Sequence, residues 1–506
     1  METLQHLAYG FGVAFTPENL LLCLLGCMMG TLVGVLPGLG PAASISLLLP
    51  TTFKMSPTGG LIMLSGILYG AMYAGSTTSI LVNIPGEAFS VVTCLDGYQM
   101  ARQGRAGPAL GIAAFGSFIA GTLGIIGLTL SAAPLVDLAL RFGPPEYFCL
   151  MILGMTMLVF LTSGHIVKAL MMASFGFLLS TIGQEVFTGT FRFTFGIFEL
   201  YDGVGVVPAV MGLFGISEVL MNLEEKYKPQ EIISKKIRGL LPSYQDWMDS
   251  KWPIVRGTLV GFSLGSLPGG GTLLSTFASY TIEKKLSKHP ERFGKGAIEG
   301  VAGPESTNNA AVQASYIPLL TLGIPPTPTL AILMGALMIH NILPGPLLMT
   351  EHPDIFWGLI ASMYIGNAML LVLNLPLIRM WVQVLKVPYP ILFPLILLIC
   401  LIGSYTINSS IVDGTIMILF GIMGYLMRKF KYEIAPAVLA MVLGVVMEPA
   451  LRRSLIMSSG NFKIFFASTI SKSLMITTGV VLVSPLILKM VRKKRKGVAT
   501  SLGTRS

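Results

Sequence analysis

Short polar side chains beside glycine and proline are the residues of this chain best suited to chemistry. One group lies in Ala74-Gly75-Ser76-Thr77-Thr78-Ser79, followed by Asn83-Ile84-Pro85-Gly86. A second lies in Gly303-Pro304-Glu305-Ser306-Thr307-Asn308-Asn309, followed by Gly323-Ile324-Pro325-Pro326. Hydroxyl and amide oxygens, with carbonyls freed where a helix breaks, are ligands for a hard alkali cation, and they also hydrogen-bond carboxylates. The breaks are present too. Leu36-Pro37-Gly38-Leu39-Gly40 and Leu267-Pro268-Gly269-Gly270-Gly271 interrupt two apolar stretches. Amide N–H groups and the positive dipole end at such a break suit an anion. An anionic substrate moving with cations fits both features.

The candidate substrate- and cation-binding residues are therefore Pro37, Gly38, Gly40, Ser76, Thr77, Thr78, Asn83, Pro268, Gly269, Gly270, Ser306, Thr307, Asn308, Asn309 and Pro325. Thr77, Ser306, Thr307 and Asn308 are the candidate ligands for Na+. Small residues also pack membrane helices and bond across them, which accounts for a lone Ser-Thr pair. Two clusters after two breaks at matched spacing ask for more. Ser76 lies 39 residues after Pro37, and Ser306 lies 38 after Pro268. No catalytic residue and no cofactor are expected; the coupling ion is Na+ or H+.

Among single ionisable residues, Glu305 is a candidate for a cation or a proton. Asp202, Glu218, Asp413 and Glu448 lie near segment ends, where interfacial placement is the default, and Glu448 can pair with Arg452 or Arg453 at a helix end. His165 reads as a loop histidine. The five cysteines (Cys23, Cys27, Cys94, Cys149, Cys400) have no His or acidic partner at metal-ligand spacing and read as small buried hydrophobes.

The elements that position these groups follow from composition. Of 506 residues, 53% are hydrophobic and 11% charged, with mean hydropathy +0.75. Soluble domains carry about 25% charged residues. The chain holds about 11 to 13 apolar segments of roughly 20 residues, some too short or broken to cross alone. The expected class is an all-α polytopic membrane protein; the weak ten-residue alternation of a membrane β-barrel is absent. No cleavable signal peptide is evident at the start. The net charge of +10 does not point to nucleic acid, because the basic tail from Lys489 to Lys496 follows an apolar span directly. That is the positive-inside pattern, and it puts the C-terminus in the cytoplasm.

The same rule makes Met221–Lys251 and Glu283–Lys295 cytoplasmic, together with Arg102–Arg105 and Arg428–Lys431. The stretch Trp252–Thr281 between the first two then has to enter and return, turning at Pro268-Gly269-Gly270-Gly271. The stretch Leu20–Pro50 matches it, but its following loop holds one lysine, Lys54. The two hairpins are therefore expected to open to opposite sides, as in an inverted-topology repeat. The string Gly30-Thr31-Leu32-Val33-Gly34 precedes the first break and recurs as Gly257–Gly261 before the second. The Ile-Pro elements match less well, at 48 residues (Pro37 to Pro85) and 57 residues (Pro268 to Pro325), as though about ten residues were inserted in the second half. The expected organisation is a first repeat (1–220), a cytoplasmic loop (221–251), a second repeat core (252–350), scaffold helices (351–490) and a basic tail (491–506).

Other function classes fit poorly. Tyr201-Asp202 resembles the first element of aspartyl intramembrane proteases, but the partner Gly-x-Gly-Asp is missing, since Pro41 follows Gly38-Leu39-Gly40. No phosphate-loop motif is present. A passive channel or structural subunit needs no paired broken helices, though sequence alone leaves it open.

Both motif regions resemble the large membrane subunit of tripartite tricarboxylate transporters, the TctA-type family. The resemblance is carried by Gly34–Pro41, Tyr69–Gly86, Gly265–Gly271, Glu299–Ala310 and Leu322–Pro328. It implies a bacterial inner-membrane permease working with a small TctB-type membrane subunit and a periplasmic TctC-type solute-binding protein. It implies carboxylate substrates, such as citrate and other di- or tricarboxylates, and uptake driven by a sodium or proton gradient. By analogy it also implies an elevator-like movement.

Overall fold

The structure, a computed structural model, describes residues 2–483 other than 37–39, 162–164, 186, 225–238, 269–270, 385–393, 395–396, 399 and 406–409. Pro37, Gly38, Gly269, Gly270 and the basic tail lie outside the described residues. The first half builds α1 (Glu2–Ala14), α2 (Pro17–Val35), α3 (Pro41–Leu48), a 3-10 turn (Leu49–Lys54), α4 (Pro57–Val82), α5 (Val91–Arg102), α6 (Ala106–Ala139), α7 (Pro144–Leu161) and α8 (Ile166–Ser180). A two-residue antiparallel pair, β1 (Gly183–Gln184) and β2 (Phe191–Arg192), follows. Next come α9 (Val206–Val210), a π turn (Met211–Ile216) and α10 (Ser217–Glu224), continuous with one another. The second half builds α11 (Tyr244–Gly265), α12 (Gly271–Leu286), α13 (Glu299–Leu322), α14 (Pro328–Ile339), α15 (Leu348–Glu351), α16 (Pro353–Asn374) and α17 (Ile378–Val384). Ile411–Lys429 and Ala435–Met457 form α18 and α19.

Local sequence explains the starts. Pro17 and Pro57 occupy the first turn, where a missing N–H costs nothing, and Thr16 and Ser56 accept the N–H groups of Asn19 and Gly59. Seven helices among the described residues are long and apolar enough to cross a membrane. The protein is an all-α polytopic membrane protein. α13 is not one of the seven, because its middle is polar, yet 22 of its 24 residues are buried. α4 is buried just as thoroughly. These two helices form the centre, shielded from lipid by the others.

Helix direction settles the hairpins. On α2, a Cβ at Gly26, Gly30 or Gly34 would lie 2.2, 2.3 or 2.5 Å from the carbonyl oxygens of Met63, Ile67 and Ala71 on α4. Only glycine permits so close an approach. The contacts climb both helices together, so α2 and α4 are parallel, and the chain returned between them. The second half repeats the device. Gly257, Gly261 and Gly265 of α11 meet Gly303, Thr307 and Ala311 of α13, with the Cβ positions 2.4, 2.3 and 2.4 Å from backbone atoms. α12 runs back along α11, since Gly271 meets Leu264 and Glu283 pairs with Arg256.

The repeats are inverted. Tyr316 of α13 donates to Ser65 of α4, while Asn308, earlier on α13, reaches Glu87 beyond the end of α4. Rising along α13 is falling along α4. The flanking helices exchange partners. α6 packs on α13, with Gly116 against Ser306 and Gly124 against Gln313. α16 packs on α4, with Thr58 bonded to Asp354 and Tyr73 to Asn367. The loops read as sharing one side do meet: Arg105 pairs with Asp246, and Gln103 donates to the Lys295 carbonyl. Lys54, before α4, is at the opposite end from the basic loop before α13.

The register of the repeat differs from the one the sequence motifs imply. Gly26, Gly30, Gly34 and Pro37 precede Gly257, Gly261, Gly265 and Pro268 by 231 residues. The α4 residues facing those glycines precede their α13 counterparts by 240. α4 ends on Asn83 and α13 on Gly323, both left-handed at φ 60° and 70°, again 240 apart. The extra residues therefore lie before α13, in the loop after Leu286, and the Ile-Pro elements are true equivalents. The polar clusters are not. Ser76–Ser79 sit late on α4, and Ser306–Asn309 sit early on α13, where their counterparts are Gly66–Tyr69. The matched 39- and 38-residue spacings arise because the insertion offsets that shift. The identical Gly-Thr-Leu-Val-Gly strings are likewise one turn out of register.

Candidate functional site

Antiparallel helices place the late part of α4 and the early part of α13 at the same level, so the clusters lie level with one another although they are not equivalent. α13 is polar on three faces, and each face has its own neighbour. Gly303, Thr307 and Ala311 face α11. The Thr307 hydroxyl donates within 2.9–3.0 Å of the Gly257 and Gly303 carbonyls, so it holds two helices together. Ser306, Asn309 and Gln313 face α6, where Asn309 donates to Ser117 at 2.7 Å. Glu305 and Asn308 face the segment that follows α4. Thr93 donates to Glu305 Oε1, and Asn308 Nδ2 donates to Glu87 Oε1 at 3.2 Å. Both bonds join the first repeat to the second.

Glu87 and Thr93 escaped the sequence reading. Glu87 is the N-cap of the turn Ala88–Ser90, accepting from Phe89 N–H at 2.7 Å, and it is buried. Its signal was an acid directly after Pro85-Gly86, at the position that Thr327 occupies as N-cap of α14 in the second repeat. Gly86 is wedged behind it, its Cβ position 2.2 Å from the Gly34 carbonyl oxygen and 3.1 Å from Thr78 Oγ1.

The first cluster is largely occupied with its own backbone. Ser76 donates to Tyr73 O at 2.8 Å. Thr78 donates to the Gly34 and Val35 carbonyls at 3.2 Å each, satisfying acceptors left bare where α2 ends. Ser79 bonds to Gly75 and Ser90. Thr77 is buried, Gly40 and Pro268 are half-buried at the hairpin turns, and Pro325 is buried behind the Gly323 cap. Asn83 is exposed, and its visible role is the left-handed turn that ends α4. The four candidate Na+ ligands are divided among different neighbours: Thr77 is buried on α4, Thr307 is committed to backbone, Ser306 faces Gly116 on α6, and Asn308 faces Glu87.

The re-entrant α12 adds a stripe the motifs did not include. Thr272, Ser275, Thr276, Ser279 and Glu283 are buried at helical spacing. Ser279 and Glu283 press on Gly303 of α13. Glu283 is held by Arg256 through two bonds of 2.8 and 2.5 Å. Asp96, on α5, is anchored between repeats by the Gly296 and Ala297 N–H groups and the Tyr280 hydroxyl, at 2.8–2.9 Å. At the periphery, Glu218 pairs with Arg428, and Glu448 with Arg192 and Arg452. Asp202 and His165 are exposed. On the loop outside the spans, hydrogen bonds from the Thr188 hydroxyl and the Phe187 amide hold Glu185 down to about 2. No group of three or more His, Cys, Asp and Glu able to hold a metal occurs among the described residues.

The arrangement therefore presents a buried, polar, oxygen-rich inter-repeat junction at which, among the described residues, no basic side chain is bonded to Glu87, Thr93, Glu305 or Asn308. Comparison with known proteins gives this junction its context. The 52.8 kDa protein of the TAR-I ttuC' 3' region of Agrobacterium vitis is 50% identical over 498 residues, covering 98% of this chain and 99% of that one. A protein of the TAR-II ttuC' 3' region of the same organism is 50% identical over 238 residues, covering 47% of this chain and 98% of that one. No solved structure matches. The profile of the tripartite tricarboxylate transporter TctA family matches residues 20–439, and the chain belongs to that family.

Proposed function

We propose that this chain is the large permease subunit of a binding-protein-dependent secondary importer of organic carboxylates, driven by a cation gradient. It works in a bacterial inner membrane with its C-terminus in the cytoplasm. Its partners are a small TctB-type membrane subunit and a periplasmic TctC-type binding protein that delivers substrate. Transport proceeds by alternating access, with a repeat-derived unit moving in an elevator-like way against the remaining helices.

The observation that carries this reading is the junction of Glu87 and Thr93 with Asn308 and Glu305. Its hydrogen bonds cross between antiparallel repeats, so relative movement of the repeats breaks and remakes them. Family membership supports the transport class and the carboxylate class of cargo. The test is uptake into proteoliposomes holding both membrane subunits, with the loaded binding protein outside. Accumulation above the external concentration is expected under an imposed inward sodium or proton gradient. Equilibration without accumulation, under either gradient, identifies a channel and overturns the reading.

A further inference from the structure

Among the described residues, buried carboxylates have their oxygens matched, with one exception. Asp96 accepts from two backbone amides and Tyr280. Glu146 accepts from Ser468 and Gly143 N–H, Asp246 from Arg105 and Ser243, and Glu283 takes Arg256 on both oxygens. Glu305 is 1% exposed, and its Oε2 has no partner. Three residues along the same helix face, Asn308 is also 1% exposed, and its Oδ1 has none. Among the described residues neither Glu305 nor Glu87 forms an ion pair.

The chemistry of these orphans has one sign. A carboxylate only accepts, so Glu87 turns the Asn308 amide with Nδ2 toward itself and leaves Oδ1 as a second bare acceptor. Uncompensated buried carboxylate charge is too costly to keep, and lone pairs without donors call for a positive ligand. A metal cation draws on several oxygens at once, whereas a proton bonds covalently to one. Hard monovalent cations prefer carboxylate and amide oxygens.

We propose that Glu305 Oε2 and Asn308 Oδ1 are ligands of one monovalent metal cation of the Na+ class, at the contact between the repeats. Glu87 is a positioning residue, which fixes the Asn308 amide. The site rests on the cation-coupled reading above and names where that cation binds. Because Glu87 belongs to the first repeat and both ligands to the second, the site is complete only while the repeats are in this arrangement.

The experiment uses the full-length chain with its small subunit in lipid nanodiscs, without carboxylate. Radioactive Na+ binding is measured at equilibrium, and thermal unfolding is followed as NaCl replaces choline chloride at constant ionic strength. Saturable binding and a Tm that rises with NaCl are expected. Glu305→Gln and Asn308→Leu should each weaken Na+ binding by at least about tenfold and flatten the Tm response, and Glu87→Gln should weaken it by about threefold. Glu305→Asp, which keeps the charge, should retain a weakened but saturable isotherm, and it decides the matter if Glu305→Gln does not fold. Exposed Glu224→Gln should bind like the wild type. Unchanged Na+ binding in folded Glu305→Gln overturns the site. No Na+ binding in the wild type, with uptake driven by a pH gradient, makes the occupant a proton, overturning this proposal while the importer reading stands. Uptake driven by neither gradient overturns the importer reading, whatever Na+ binding shows.

Discussion

α4 and α13 are inverted copies of one another, and only one of them is left with several unanswered polar atoms. Each is gripped along its length by three glycines of a parallel helix, and each ends on a left-handed residue before Ile-Pro. On α4, Ser76, Thr78 and Ser79 spend their hydroxyls on nearby carbonyls, and Tyr69 Oη is the unpaired buried atom. On α13, Glu305 Oε2, Ser306 Oγ, Asn308 Oδ1 and Gln313 Oε1 are buried and unpaired. Buried orphans are costly, so a helix that keeps four is built to receive something. Symmetry supplies the frame and the breaks; chemistry is introduced by substitutions that violate the symmetry. Where α13 has Glu305 and Asn308, α4 has Ser65 and Leu68.

The frame is where the two halves should behave alike, and there the largest effects are expected. Gly30→Val on α2 and Gly261→Val on α11 each place a branched side chain where even a Cβ meets a carbonyl oxygen at 2.3 Å. Each should cost about 3 kcal/mol or more, since the obstacle is backbone that cannot yield. Yield of monodisperse protein and its Tm are the measurements. A marked tolerance of one substitution and not the other breaks the equivalence of the two grips.

Function should separate the halves. Asn308→Leu removes the amide that bridges to Glu87 and should reduce uptake at least about tenfold in protein that still folds. The mirror change, Leu68→Asn, buries an unpaired amide at a position 3% exposed and should cost about 1–3 kcal/mol of stability. Paired uptake and melting data read both. Equal loss of uptake from the two changes would mean that α4 carries as much of the site as α13.

The fold was legible in large part because its causes are local. Low charge, long apolar segments and loop lysines led to a polytopic helical protein with two hairpins opening oppositely, and parallel α2/α4 and α11/α13 pairs have that geometry. The register was not legible. Identical strings at Gly30 and Gly257 and near-equal cluster spacings each pointed to a match that packing places one turn or about ten residues away. Motif identity reports shared residue types, whereas register is set by which backbone a glycine touches, and that requires the partner helix. Glu305 and Asn308 stood out by type, but their division from Thr307 and Ser306 follows from helical geometry around four neighbours. Little local to Glu87 marks it, because its placement depends on Gly86 being wedged against Gly34, far away in sequence.

Tyr316 tests whether orphaned atoms, rather than burial, mark the site. It occupies the α13 position equivalent to Ser76, is fully buried, and donates to Ser65 at 2.9 Å. Tyr316→Phe deletes one inter-repeat hydrogen bond and leaves the shape. It should lower stability by about 1 kcal/mol without altering Na+ affinity. A large loss of affinity would extend the site toward the middle of α4.

The finest distinction concerns Thr78 and Thr307, hydroxyls that motif reading treated as ligands and that the structure commits to carbonyls. Thr78 answers Gly34 and Val35 at the end of α2; Thr307 answers Gly257 and Gly303 between α11 and α13. Valine replaces either with nearly the same volume but removes the donor. The carbonyl oxygens of Gly257 and Gly303 retain helical partners, whereas those of Gly34 and Val35 lie at a helix end with none within the helix. Thr78→Val should therefore cost about 1 kcal/mol and Thr307→Val somewhat less, with substrate and sodium dependence of uptake unchanged in both. If Thr78→Val instead shifts sodium dependence at constant Tm, its hydroxyl is a ligand in the working cycle, and α4 shares the site that its own hydrogen bonds assign to α13.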